Sequence, residues 1–256
     1  MIISRLAGGL GNQMFQYAIA LAYSLRTGHD FAIDDLDLIR AGTRRYELNH
    51  FACTVPSCNF WSRIPGRGIT VDERVVSPEH FVKLNLDHLV LIGYWQNEIY
   101  FKDYAEQIRK DFRLKEPSKT TPVKDAVSIH IRRGDYVGNP MHPVLPIDYY
   151  RRAFEIIEAD IHHPVYYLFT DDAVPLAFIN QLKVGGRDIM YSSNPVSEGW
   201  RDLDLMRQCR HNIIANSSFS WWGAWLNDNP DKIVVAPKQW FNGQEFNGVP
   251  DEWVRV

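Results

Sequence analysis

The chain of 256 residues is 45% hydrophobic, enough to bury a sizeable core in one large domain or two small ones. Its 28 Lys and Arg against 31 Asp and Glu leave a net charge of −3, which excludes a global basic field for nucleic acid. The apolar stretch in residues 14–25 is interrupted by Gln16, falls short of the roughly 20 residues that cross a bilayer and has no basic leader, so the expectation is a cytosolic protein with neither signal nor anchor.

In chain order, residues 2–6 read as a strand, AGGLG as a tight turn and residues 12–26 as a helix. Met14, Tyr17, Ala18, Leu21, Ala22 and Leu25 recur there at helical spacing, and Gly28 ends the run. A strand at 31–33 completes a βαβ opening. Asp34, Asp35 and Asp37 read as a loop of solvated charge. Residues 36–87 read as irregular, broken by Pro56, Pro65 and Pro78, and Trp61 with Arg63 and Arg67 is a weak hint of a surface contact. A strand at 89–95 and a helix at 100–112 follow. The polar stretch KEPSKTTPVK has two prolines and no apolar period, so it reads as a linker between domains at 1–115 and 125–256.

The second domain offers strands at 126–131, 165–170, 188–191, 212–215 and 232–236. Helical patterns at 148–158, 175–182, 200–210 and 219–227 lie between them. This alternation predicts an α/β fold with a parallel sheet and helices on both faces. Cys53, Cys58 and Cys209 are too few and odd in number for a disulfide framework, and are expected as reduced thiols. No Cys or His pair follows at zinc spacing, so Cys53 and Cys58 are expected to pack rather than bind metal.

Four strand ends carry polar groups at the carboxyl edge, where ligands bind in open α/β sheets. The first is AGGLGNQ. Gly8, Gly9 and Gly11 invite a dinucleotide reading, but Met14 stands where the third glycine belongs. What remains is a small-residue turn with Gly9 and Gly11, opening a helix from which Asn12 and Gln13 face whatever occupies the cleft. The second is HIRRGDY. Arg132 and Arg133 leaving one strand end suit a diphosphate, unless one of them pairs with Asp135 and the other lies in water. The third is Thr170, Asp171 and Asp172. Asp171 and Asp172 could form a metal pair, but Arg132 already supplies positive charge, so Asp172 is preferred as an acceptor for a base or ribose, with N-capping its plainer alternative. The fourth is Asn216, Ser217 and Ser218, opening an aromatic helix. Ser217 and Ser218 with the free N–H groups there make an anion cradle, while most of Trp221, Trp222 and Trp225 belong to the core.

With GGLGNQMFQYA, HIRRGDY, LFTDD and IIANSSFSWWGAWLN in this order, the chain closely resembles the bacterial α1,2-fucosyltransferases, part of a wider fucosyltransferase superfamily. Residues 36–87 carry none of these motifs. The resemblance implies a GT-B fold, two Rossmann-like α/β domains facing a central cleft, with the acceptor on the first domain and the nucleotide sugar on the second. It implies GDP-fucose as donor, an inverting single displacement and no cofactor or required metal. By resemblance Arg132 holds the donor diphosphate, and His130 and Asp172 lie near the nucleoside. Ser217, Ser218 and Phe219 line the phosphates, and Asn12 belongs to the loop facing the sugar. The expected acceptor is the 2-hydroxyl of a terminal β-galactoside, on a glycan or on a glycolipid that draws the enzyme to the inner membrane face. No carboxylate in the motifs is an obvious base. The alternatives are a transferase of the same architecture using another nucleotide sugar or linkage, and a nucleotide-sugar-binding module without catalysis.

Overall fold

The computed structural model describes residues 1–42, 44–54, 68–118 and 121–256. They fall into two compact units, Met1–Glu116 and Pro117–Val256. Cys58, Pro56, Pro65, Trp61, Arg63 and Arg67 lie outside the described residues.

The first unit begins with β1 (Ile2–Arg5), α1 (Leu10–Thr27) and β2 (Phe31–Asp34). Residues 13–23 of α1 are all buried, so this helix is a core element rather than an amphipathic surface one. It stops at Gly28, whose left-handed φ of 74° lets its N–H donate to the Ser24 carbonyl. Next come α2 (Leu36–Ala41), β3 (Ile69–Asp72), α3 (Pro78–Phe81), β4 (Leu89–Ile92) and α4 (Ala105–Asp111). The sheet runs β2-β1-β4-β3, with every pairing parallel.

Three expectations change here. The stretch 36–87, read as irregular, contains α2, β3 and α3; β3 is a four-residue edge strand whose Ile69 and Thr70 are exposed, so it carries little apolar signal. Asp34 is not in a solvated loop: it ends β2 as a buried residue and its carboxylate accepts the Leu36 N–H at 3.2 Å. The helix read at 100–112 begins as two 3-10 turns, because the Asn97 side chain caps Ile99 and buried Phe101 breaks the helical path at φ −148°.

The second unit alternates β5 (Ala126–Ile131), α5 (Ile147–Glu158), β6 (Val165–Thr170), α6 (Leu176–Leu182), β7 (Asp188–Tyr191), α7 (Gly199–Gln208), β8 (His211–Ile213), α8 (Ser218–Trp225), β9 (Val234–Ala236) and β10 (Val254–Arg255). All pairings are parallel in the order β10-β9-β8-β5-β6-β7. Every β5 residue is buried, as a central strand covered on both faces requires. Val127, Ile129 and Ile131 pack with Tyr149, Phe154 and Ile157, while Ala126 packs on the opposite face with Phe169, Leu205 and Met206. The tryptophans of α8 are core, as expected: Trp221, Trp222 and Trp225 are all buried. The free thiols Cys53 and Cys209 are buried too, and burial pushes each up to about 12.

Each sheet reverses its winding once. The chain lays β2 beside β1 and then crosses to put β4 on the other side of β1; it lays β6 and β7 outward from β5 and then crosses to β8. Crevices for ligands open at the carboxyl ends of the strands flanking such reversals.

Candidate functional site

At the β1/β4 reversal the glycines set the geometry. Gly8 adopts φ +79°, and a Cβ on it would come within 2.3 Å of Asn12 Nδ2. The Gly9 carbonyl accepts the N–H groups of Asn12 and Gln13 at 3.0 and 3.1 Å, starting α1 earlier than its apolar period suggests. The buried Gly11 lies in the first turn. Asn12 is partly exposed, and its Oδ1 accepts from Gln96 Nε2 at 2.7 Å, joining the loops after β1 and β4. Gln13 departs from its expected place beside Asn12. It is buried completely, with its amide donating to the Gly8 and Arg45 carbonyls and accepting the Glu47 N–H, so it braces the loop from beneath. Gln16, which the sequence presents only as a polar break in a helix, does similar bracing: it accepts from Ala7 N–H and donates to the Gly93 carbonyl.

At the β5/β8 reversal β5 delivers His130, Arg132 and Arg133. Alternation places His130 on the face opposite Ile129 and Ile131, 5.6 Å from the Phe219 ring between ring centres. It is buried, and desolvation first, then the charge of Arg132, lowers its imidazole to about 3, so the ring is neutral at ordinary pH. Arg132 lies between two carboxylates: Nη2 donates to Asp135 Oδ1 at 2.6 Å, and Nη1 is 3.0 Å from Asp171 Oδ2. Its guanidinium sits 5.1 Å from the centre of the Tyr136 ring, which stacks on His142 at 4.4 Å. Tyr136 in turn donates its hydroxyl to the Asn216 carbonyl. His142 is held below the ordinary imidazole value, chiefly by burial, with Asp135 opposing and Arg132 adding.

The Asp135 partner therefore falls to Arg132, not to Arg133. Among the described residues the Arg133 guanidinium has no ion pair; its backbone N–H donates to Asp171 Oδ1 at 2.9 Å. Asp171 thus spends both oxygens on the arginine turn. Asp172 is exposed and its Oδ1 accepts the Ala173 N–H at 2.7 Å, a local turn that leaves the other oxygen to solvent. Ser217 caps α8, accepting the Phe219 N–H at 3.4 Å, while Ser218 and Phe219 are partly exposed. Asn216 Nδ2 donates to the Pro143 and Trp240 carbonyls at 3.0 Å each, which fixes its Oδ1 as the acceptor end.

Eight buried side-chain nitrogens and oxygens among the described residues have no hydrogen-bond partner, and five of them are here: His130 Nδ1, Arg132 Nε, Arg133 Nε, His142 Nδ1 and Asn216 Oδ1. Each such atom costs about 1–3 kcal/mol, so their gathering at one sheet reversal serves something other than stability. Chemically they are complementary to a mixed ligand. The guanidinium nitrogens donate only, and match phosphate oxygens; Asn216 Oδ1 accepts only, and matches a hydroxyl or N–H. Tyr136 and His142 belong to the site although their sequence signal is faint, whereas Asp135 and Asn216 are already singled out by the sequence. Only their place in the loop after HIRRG could have pointed to Tyr136 and His142.

The profile of glycosyl transferase family 11 matches residues 2–255. The chain is 32% identical to an alpha-1,2-colitosyltransferase of Escherichia coli, over 100% of this chain and 99% of that one. It is also 32% identical to the O-antigen biosynthesis glycosyltransferase WbnK of Escherichia coli, over 99% of each. A galactoside alpha-(1,2)-fucosyltransferase 1 of Plecturocebus brunneus is 26% identical over 90% of this chain and 66% of its own. Among solved structures, the fucosyltransferase NodZ from Bradyrhizobium superposes with a TM-score of 0.55 at 14% identity, covering 87% of this chain and 91% of NodZ. A mutant of Arabidopsis thaliana FUT1 in complex with GDP gives 0.54 at 10% identity, covering 92% and 70%. The α/β fold of parallel sheets expected from the sequence is thus the fold of solved GT-B fucosyltransferases.

Proposed function

Since this chain belongs to glycosyl transferase family 11, a family of glycan-building transferases, we propose that it moves L-fucose from GDP-fucose to the 2-hydroxyl of a terminal β-galactoside with inversion. The observation that carries this reading is the pair Arg132 and Arg133 at the β5/β8 reversal, surrounded by buried polar atoms that want both an anion and a hydroxyl. A nucleotide sugar offers both within one molecule. Residues 125–256 are the donor side in this reading, with His130 and Asp172 toward the nucleoside and Ser217, Ser218 and Phe219 along the phosphates. Residues 1–115 are the acceptor side, through Gly9, Gly11 and Asn12. Gln13 contributes by bracing that loop.

The acceptor oxygen attacks the anomeric carbon while the bond from that carbon to the β-phosphate oxygen breaks. GDP leaves with the bonding electrons and the acceptor hydroxyl releases its proton to a base or to solvent. Negative charge grows on the β-phosphate as the bond stretches. A fixed guanidinium gains most at that moment, which makes Arg132 the electrophilic catalyst. With positive charge developing on the sugar ring a strong base is unnecessary, and none is assigned. No metal is needed in this scheme, because Arg132 and Arg133 supply the positive charge and Asp171 is already engaged by both. The galactoside, free or on a glycolipid, is met at or near the inner membrane face; no helix among the described residues is long and apolar enough to cross a membrane.

A colitosyl donor is the second reading, favoured by the similarity to the colitosyltransferase. Purified protein offered GDP-fucose, a colitosyl donor or GDP-mannose, with and without a panel of β-galactosides, separates these by GDP release and linkage analysis. Release from GDP-fucose that depends on a galactoside, with an α1,2 product, is the expected result. Release from the colitosyl donor alone would transfer the assignment to colitose, and equal release from GDP-mannose would remove it.

A further inference from the structure

The crevice of the first unit, at the β1/β4 reversal, holds a carboxylate that none of the motifs contains. β3 runs parallel beside β4 with Asp72 opposite Ile92, so Glu73 comes level with Gly93 at the same carboxyl edge, its N–H donating to the Ile92 carbonyl at 2.9 Å. Its Oε2 accepts the Tyr94 N–H at 2.6 Å. This approach requires glycine at 93, where φ is +141° and a Cβ would stand 2.5 Å from Glu73 Cβ and 2.6 Å from Oε2. Among the described residues Oε1 has no hydrogen bond and the carboxylate has no ion pair. The neighbouring cation is taken, since Arg74 Nε donates to Asp72 Oδ1 at 2.9 Å. A half-buried carboxylate is thus anchored through one oxygen and open at the other.

The segment after β4 has a matching peculiarity. Trp95 is fully buried against Phe81 and Tyr100, with ring centres 4.9 and 5.2 Å away, yet its φ is +56°, a strained value for an aromatic residue, and its Nε1 has no partner. With residue 95 anchored inward, Tyr94 is left 46% exposed. Strain and an unmet donor in a turn that presents an aromatic ring to solvent serve binding rather than stability. An anion does not suit the place, because Glu73 repels it and Arg74 is engaged. A neutral sugar does: its hydroxyls donate to a carboxylate, and the C–H face of a galactose ring lies well on an aromatic surface. The amides of Asn12 and Gln96, joined to each other at this edge, add further polar groups.

Resting on the function proposed above, we propose that Glu73 and Tyr94 form the subsite for the acceptor sugar, Glu73 Oε1 receiving a hydroxyl hydrogen of the galactoside and the Tyr94 ring stacking on its C–H face. The stretch 36–87 thereby supplies a residue that selects the acceptor, although it carries no motif.

The test measures transfer from GDP-fucose to lactose and to N-acetyllactosamine for the wild type, Glu73→Gln, Tyr94→Ala and Tyr94→Trp, with GDP affinity by calorimetry and thermal melts to check folding. Glu73→Gln keeps an oxygen for the Tyr94 N–H and is expected to raise the acceptor KM about tenfold or more, the scale of losing a hydrogen bond to a charged group. Tyr94→Ala is expected to raise it about fivefold and Tyr94→Trp to keep it within about twofold, because the ring face and not the hydroxyl is used. GDP affinity is expected to move by less than about twofold in all three. A crystal structure of the wild type with GDP and lactose, independent of how any variant folds, is expected to show a galactose hydroxyl on Glu73 Oε1 and the galactose ring over Tyr94. An unchanged acceptor KM in Glu73→Gln, GDP affinity weakened as much as acceptor KM in Glu73→Gln or Tyr94→Ala, or galactose bound away from both residues would each overturn the inference alone. Failure of the wild type to transfer fucose to either galactoside would overturn the proposed function, and this inference with it.

Discussion

Arg132 and Arg133 are adjacent and chemically identical, yet the protein treats them differently. Arg132 is clamped by Asp135 and Asp171, whereas Arg133 brings a guanidinium without a carboxylate among the described residues. Arg132→Ala is therefore expected to cut turnover by roughly a hundredfold or more in a GDP-release assay, the scale for losing a transition-state charge stabiliser. Arg133→Ala is expected to act on affinity, weakening GDP about tenfold by calorimetry, as the loss of one charged hydrogen bond does. His130 carries a separate prediction. Its folded value, about 3, lies below the ordinary imidazole value of 6.5, so the unfolded chain takes up a proton that the folded chain refuses. The stability this represents is complete above about pH 6.5 and is lost as pH falls from there toward 3, with His142 contributing in the same direction. Melting temperatures between pH 7.5 and 5 are expected to fall for the wild type and to fall less for His130→Gln. An equal acid loss in both would show that His130 is not the group responsible.

At the scale of elements, legibility follows periodicity. The strands 126–131 and 165–170 are found where the sequence places them, because each is a buried run bounded by turn residues, and the mostly exposed edge strand 188–191 is found too, between the Gly185–Gly186 turn and the residues after Tyr191. The strand at 254–255 and the edge strand at 69–72 escape notice, being short and mostly exposed. Helix starts shift by a residue or two for a physical reason: α1 begins at Leu10 on an uncapped Gly9, whereas α8 begins after Ser217, whose hydroxyl is a recognisable cap. Less visible still is the contact between α7 and α8. Gly223 lets the helices approach until a Cβ on it would lie 2.8 Å from Met206 Cβ. Gly223→Ala is expected to destabilise by about 1–3 kcal/mol in urea unfolding, since overpacking outweighs the gain in helix propensity. A stabilised variant would show that Met206 yields freely.

For the whole molecule, the motifs reveal where chemistry happens but not how the chain supports it. HIRRGD and ANSSF mark the two strands flanking one reversal, and that much is legible because four strand ends carry polar clusters at the same edge. Of the partners of Arg132, Asp135 is legible as a candidate, but Asp171 is not, since Asp171 and Asp172 read alike in LFTDD and only the fold shows that the first braces the arginine turn. Gln13 and Gln16 are misread or passed over for the same reason: their amides satisfy backbone groups from loops distant in sequence. Substituting arginine charge for a cation predicts undiminished transfer in excess EDTA. Activity abolished by the chelator and restored by manganese would instead make Asp171 and Asp172 metal ligands.

Because β5 and β8 are parallel neighbours, Tyr136 and Asn216 meet although they stand 80 positions apart in the chain. Such high contact order makes assembly slow, and it means that neither strand alone holds half a working pocket. On refolding from denaturant, the ability to capture nucleotide should therefore emerge with the last cooperative phase, long after helices have formed, rather than build up gradually.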